Sequence, residues 1–231
     1  MQFKCKQCRR GVTLLELVLA MGILAALMGV ILPAVGAARI AAQRTVCASN
    51  MRSIGQALAS YCVENRGRFP ESTHSAALQL DRAWIYTLAK HLGDIDRVRI
   101  SPADPRGEQR LANKGSSYVL NEYITVAGTD ETLSMQHVRR PSETMTVLTA
   151  SDRMSVTTFG DHTHSRNWFR LPTNAWNRIL ADIQPDRHGG NASRVAGSAN
   201  YLFADGHVES IAAATIKTYA DTNTNFIRPP Q

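Results

Sequence analysis

Three groups of residues in this 231-residue chain have the types and spacing to do chemistry. The first is Gly11-Val12-Thr13-Leu14-Leu15-Glu16, where a carboxylate stands five residues after a glycine, between a basic decapeptide and a long apolar run. The second is a set of histidines and aspartates, Asp161, His162, His164, His188, Asp205 and His207, whose donor atoms are those of transition-metal sites. The spacing of this set matches no metal motif, and His162-x-His164 turns both rings to one face only if that segment is extended. The expectation is therefore hydrogen-bonded histidines, with no metal and no cofactor. The third group is cysteine. Cys5-x-x-Cys8 has neither a second pair nor a neighbouring histidine to complete a zinc site. Cys47 and Cys62 would lie about 22 Å apart on one helix, too far for a disulfide. No Gly-x-Ser-x-Gly turn is present, and no serine or cysteine stands in a triad context.

The elements around Glu16 give the carboxylate its meaning. Lys4, Lys6, Arg9 and Arg10 precede it, and the next charge after it is Arg39, so residues 17–38 are uncharged. As a helix that run spans the roughly 30 Å hydrocarbon core of a bilayer. It is too long for the apolar region of a secretory signal peptide. A carboxylate at its membrane end costs about 2.5–3.5 kcal/mol, so Glu16 is protonated, snorkels or has a partner. The basic leader holds its flank in the cytoplasm and places the rest of the chain outside. Because those four residues carry much of the formal charge of +7, the charge gives no support to nucleic-acid binding.

Gly11 followed by Val-Thr-Leu-Leu-Glu resembles the type IV prepilin cleavage and methylation motif, which type II secretion pseudopilins share. The resemblance implies that a prepilin peptidase cuts between Gly11 and Val12 and that the new amine of Val12 is methylated. It also implies that Glu16 pairs with the amine of a neighbouring subunit during filament assembly. Val12 stands where this family usually has Phe. Pro33 lies inside the apolar helix, where it removes one hydrogen bond and is expected to bend or locally melt it. Gly22, Gly29 and Gly36 recur every seven residues and make a strip for close helix approach.

Three segments follow: a basic leader over 1–11, a transmembrane and filament-core helix over 12–38, and a periplasmic or extracellular globular domain over 39–231. The domain includes the amphipathic half of the first helix. There Ile40, Cys47, Met51, Ile54, Leu58 and Tyr61 form a buried stripe, and Gly67 and Pro70 end the helix near Arg66. A second helix is predicted over Ser75–Leu92, with Trp84 as a core anchor, and a third over Ala175–Ile183. Strands are predicted at Tyr118–Leu120, Tyr123–Val126, Thr144–Leu148, Val156–Phe159, Asn200–Phe203 and His207–Ile211. The fold class is α+β, a pilin-like long N-terminal helix packed on a small antiparallel sheet. Trp168 and Trp176 stand in a long loop and either pin it to the core or mark a contact surface.

At the other end, Arg187-His188-Gly189-Gly190 and Phe203-Ala204-Asp205-Gly206-His207 stand out. Asp205-Gly206 between alternating apolar runs is a two-residue hairpin signal. The block resembles the processing-associated domain at the end of prepilin-like proteins of planctomycete-type bacteria, in which a His, nine residues and Asp-Gly recur. Here sixteen residues separate His188 from Asp205, an insertion around Ala192–Ser198. Relatives often have a cysteine before Pro102, where this chain has Ser101. Major secretion pseudopilins carry a calcium loop near the C-terminus, but no dense Asp/Asn loop stands here to match it.

The resemblance implies a structural subunit and not an enzyme, anchored in the inner membrane with its domain in the periplasm. Its implied partners are prepilin peptidase, like or related pilin subunits, an inner-membrane assembly platform and membrane lipid, with no nucleic acid. A membrane-anchored periplasmic binding module, or a metal-dependent enzyme that does not polymerise, is the alternative.

Overall fold

The computed structural model of the chain describes residues 12–73 and 83–230. Two compact units emerge, Met1–Arg39 and Ile40–Gln231. The first unit contains the start of helix α1, which runs from Leu14 to Glu64 through Pro33 without a break in helical structure. The local melting expected at Pro33 is absent: the proline takes away only its own amide, and the flanking turns keep the helix. From Leu14 to Arg39 every side chain of α1 is exposed within the chain.

In the second unit α1 buries Cys47, Met51, Ile54, Gly55, Ala57, Leu58 and Cys62, close to the stripe read from the sequence. A Cβ on Gly55 would lie 2.9 Å from Leu202 Cδ1, so the glycine lets helix and sheet approach closely. Both cysteines are free and buried. Burial pushes both thiols up, Cys62 to about 11. Gly67 closes the helix with φ +82° and an amide bond back to the Cys62 carbonyl.

Strands β1 (Tyr118–Leu120), β2 (Met145–Thr149), β3 (Ser198–Phe203) and β4 (Val208–Ala212) form a sheet in the order β1-β2-β3-β4, antiparallel throughout. Tyr118, Leu120, Val147 and Leu202 face α1 in one core with Trp84 and Leu88. Val119, Leu148, Ala199, Tyr201 and Phe203 face a second core. That core is covered by Trp168 and by α6 (Ala175–Asp182) and α7 (Ala213–Asp221). A sheet covered on both faces explains why β2 is buried along its whole length and shows no apolar–polar alternation.

Several expectations change. Residues 75–82 of the predicted helix Ser75–Leu92 lie outside the described residues. The remainder is a short helix α2 (Trp84–Thr87) and a 3-10 turn, Ala89–His91, because Leu88 tightens the chain into i+3 bonding. Tyr123–Thr125 is helical, inside α5 (Glu122–Thr125), and only Val126, its C-cap, is extended, since the Asn121 side chain caps the helix by accepting from the Tyr123 amide. Val156–Phe159 makes one bridge, Lys114 to Thr157, and no strand. Ser155 and Thr157 bond to local backbone amides there instead. Trp168 is buried and donates from Nε1 to Asp182 Oδ2 at 2.6 Å, so it pins its loop to the core.

Two further short helices, α3 (Ile95–Val98) and α4 (Gly107–Ala112), lie before β1. Arg110 on α4 is fully buried and donates to Asp104 Oδ2 at 2.8 Å and to the carbonyls of Ser151 and Ser155. Ser117 also donates to Asp104 Oδ2. This network ties the 101–112 segment to one end of the β1–β2 pair, where Ser117 enters β1 and Ser151 follows β2. Asp104→Ala strands a buried guanidinium and should cost about 3–5 kcal/mol. Thermal unfolding of the full-length protein in detergent checks this, with a melting temperature lowered by roughly 10 °C.

Candidate filament-forming N-terminus and the C-terminal motif

Gly11 lies outside the described residues. Val12 is exposed, and Thr13 precedes the first turn of α1. Thr13 and Glu16 form a reciprocal pair. The Thr13 amide and hydroxyl donate to Glu16 Oε2 at 2.8 and 2.9 Å, and the Glu16 amide donates to Thr13 Oγ1 at 3.2 Å. This is the capping box, in which a Thr at the helix start and a Glu three residues later satisfy each other's orphan amides. Thr-x-x-Glu at the start of an apolar run is the sequence signal for this box. Both bonds fall on Oε2, so Oε1 keeps its lone pairs for a further donor.

Behind this head the helix is long and apolar enough to cross a membrane, with a mean hydropathy of 2.5 over its best 18-residue window and none of that window buried within the chain. A methyl added at Gly22, Gly29 or Gly36 would meet nothing within 4 Å among the described residues apart from the helix's own adjoining backbone. Residues 6–32 match the family described as the prokaryotic N-terminal methylation motif. The N-terminal part of the chain is type IV prepilin-like. No curated protein and no solved structure matches it.

The matched residues run from the basic N-terminal segment into the first part of the apolar helix, and the second compact unit, Ile40–Gln231, follows them in the sequence. In that unit His188 exchanges two backbone bonds with Ser198, at 2.8 and 3.0 Å, at the start of β3. Asp205 and Gly206 turn β3 into β4 at its other end, about 17 Å away at 3.3 Å per residue. These motif residues therefore do not meet in one site. The turn is not the two-residue type: Phe203 donates to the His207 carbonyl and Gly206 to the Phe203 carbonyl, enclosing three residues with Gly206 at φ +91°. Asp205 Oδ1 accepts from the His207 amide and is 2.6 Å from His207 Nδ1, while the His207 ring stacks on Phe203.

Among the described residues, no three His, Cys, Asp or Glu side chains are grouped to hold a metal. His207 pairs with Asp205, far along β3 from His188. His162 Nδ1 lies 2.7 Å from Asp161 Oδ1, and His164 Nδ1 lies 3.2 Å from Asp182 Oδ1. The Asp182 hydrogen bond raises the His164 pKa above its ordinary value.

His188 is buried and neither ring nitrogen has a hydrogen-bond partner. Burial, with Arg187 and Arg44 adding repulsion, pushes its pKa down to about 4. The folded protein resists a proton that the unfolded chain takes up near pH 6.5, so stability falls as pH drops from about 6.5 to about 4. His188→Leu removes both unpaired nitrogens. Its stability, followed by thermal unfolding across that window, should lose less than the parent's on acidification, by up to about 3 kcal/mol at pH 4.

Proposed function

We propose that this chain is a pilin or pseudopilin subunit of a type II secretion pseudopilus or type IV pilus-like filament. Prepilin peptidase cuts between Gly11 and Val12, the Val12 amine is methylated, and the apolar half of α1 becomes the filament core. The globular unit then faces the periplasm or the outside. The observation that carries the reading is the engagement of Glu16 through Oε2 alone, at the head of a helix whose apolar side chains are exposed within the chain. The cap lowers the cost of holding a carboxylate near hydrocarbon in the single subunit, and Oε1 remains to accept from the amine of the next one. In this reading Thr13 and the neighbouring amine share one carboxylate and do not compete for it.

The exposed glycines support the same reading, because close approach of such helices needs a small face that the subunit's own fold leaves open. The motif points to a structural subunit and not to an enzyme.

Two measurements test this. After co-expression with a prepilin peptidase, the N-terminal peptide should begin at methylated Val12; a peptide beginning at Met1 or beyond Gly36 would overturn the reading. Glu16→Ala should still insert and be cut, yet lose crosslinked multimers. Thr13→Val keeps the carboxylate and loses the hydroxyl bonds of the cap, so it should retain multimers with a reduced yield.

A further inference from the structure

We propose that the end of the globular unit beside Ile40, built from Arg44, Arg187, Arg194 and the loop 187–198, docks on anionic phospholipid headgroups of the bilayer that holds the apolar half of α1. This rests on the reading of residues 17–38 as membrane-spanning. Height along the helix places the surface at the headgroups. At 1.5 Å per residue Ile40 lies about 3 Å, and Arg44 about 9 Å, beyond Ala38, the last residue of the uncharged run. The headgroup layer outside the hydrocarbon core is about 5–8 Å thick, and any tilt of the helix brings both residues lower. Ile40 therefore stands within that layer, and the long Arg44 side chain reaches back into it. The loop 187–198 is at the same level, because a Cβ on Gly189 would lie 3.8 Å from Ile40 Cγ2. Ile40, Asp186, Arg187, Gly189, Asn191 and Arg194 border one open cleft there, of about 390 Å³.

The charge of this end matches such a partner. Between Glu16 and Glu64 the helix carries Arg39, Arg44 and Arg52 and no acidic residue, and no acidic residue stands between Asp186 and Asp205. The cleft's carboxylates, Asp152 and Asp186, are each taken by an arginine, Arg187 at 2.8 Å and Arg194 at 3.3 Å. Arg44 is exposed and has no carboxylate partner among the described residues. Arg106 donates to the carbonyls of Asp152 and Met154, which leave its charge uncompensated. The balance is positive, and burial together with repulsion from Arg187 and Arg44 keeps a proton off the His188 ring nearby. An anionic lipid surface draws basic residues held within a Debye length of it, about 8 Å at physiological ionic strength. The loop suits that surface, since its exposed residues include Gly189, Gly190, Ala192 and Val195 and bring no carboxylate to repel it.

The test uses the full-length chain in lipid nanodiscs, with Cys5→Ser and Cys8→Ser and with the buried Cys47 and Cys62 retained. One fluorophore is attached through Ala192→Cys or, in a separate protein, through Leu24→Cys. Lipids with a nitroxide on the headgroup quench the first label, and lipids with a nitroxide on the acyl chain quench the second. In discs with about a third phosphatidylglycerol, quenching at 192 should be about twofold or more that in pure phosphatidylcholine. Raising the salt to about 0.5 M should erase the difference. Arg44→Gln, at the unpaired position, should remove most of it without lowering the melting temperature. Equal quenching at 192 in the two lipids, with the Leu24→Cys label quenched in both, overturns the proposal and leaves the membrane span standing. A full lipid difference in Arg44→Gln also overturns it. An unquenched label at Leu24→Cys overturns the span and this proposal with it. Shielding at 192 that follows the protein-to-lipid ratio and not the lipid charge assigns the face to a second copy of the chain, and the proposal fails. Processing and filament assembly are read separately, from the N-terminal peptide and the multimers.

Discussion

A carboxylate at the head of an apolar helix has to be satisfied before that helix can sit in lipid, and here the Thr13–Glu16 box does it within one subunit. The rest of α1 depends on that closure. If Glu16 were unpaired, the first turn would carry both orphan amides and an uncompensated charge into a medium that solvates neither. With the box closed, the first turn is a fixed geometric object. It presents one carboxylate oxygen outward, so that the pairing proposed for Glu16 would use a preset acceptor and not a mobile side chain.

The same helix answers to a different solvent further along. From Cys47 onward its buried face packs on Tyr118, Val147 and Leu202, and the sheet that receives it is covered on its far side by α6 and α7. A sheet buried on both faces has little tolerance for polar side chains, so most polar groups beside it are bound in networks, with Thr149 Oγ1, the Tyr201 hydroxyl and the His188 ring as exceptions. Arg110 with Asp104 and Ser117 is one; Asp182 with Trp168 and His164 is another. These networks fix the loops that carry most of the unit's irregular backbone, because two-sided burial leaves them no water to turn to.

How much of this was legible in the sequence follows from how local each feature is. The buried stripe of α1 and the third predicted helix follow from a 3.6-residue periodicity, and the positions of β1 to β4 from short β-prone runs bounded by turn residues, signals that a short window reveals. Tyr123–Val126 has the composition of a strand, yet Asn121 just before it supplies a helix cap, and the local hydrogen bond outweighs the β-propensity of Tyr, Ile, Thr and Val. At the hairpin, Asp205 gives its side chain to His207, and that bond holds a three-residue turn where Asp-Gly alone suggested two. The C-terminal motif was legible as a block, but its members turn out to be spread along β3, because a strand separates residues that a sequence presents as neighbours.

The histidine pair marks the limit of such reading. His162-x-His164 is visible to anyone scanning for metal ligands, and whether it means anything turns on facts the sequence does not contain. One is the extended rung against Leu120, some forty residues earlier; the other is the arrival of Asp182 at the end of α6. Asp161 is adjacent in sequence and could have been paired with His162 on paper, but Asp182 reaches His164 only because Trp168 is driven into the second core and its indole anchors the same carboxylate. Burial of one aromatic ring thus orients a carboxylate, the carboxylate orients an imidazole, and the imidazole's remaining nitrogen acquires a direction. A chain of non-local causes of that kind is what orients the His164 ring, and no property of that residue alone would reveal it.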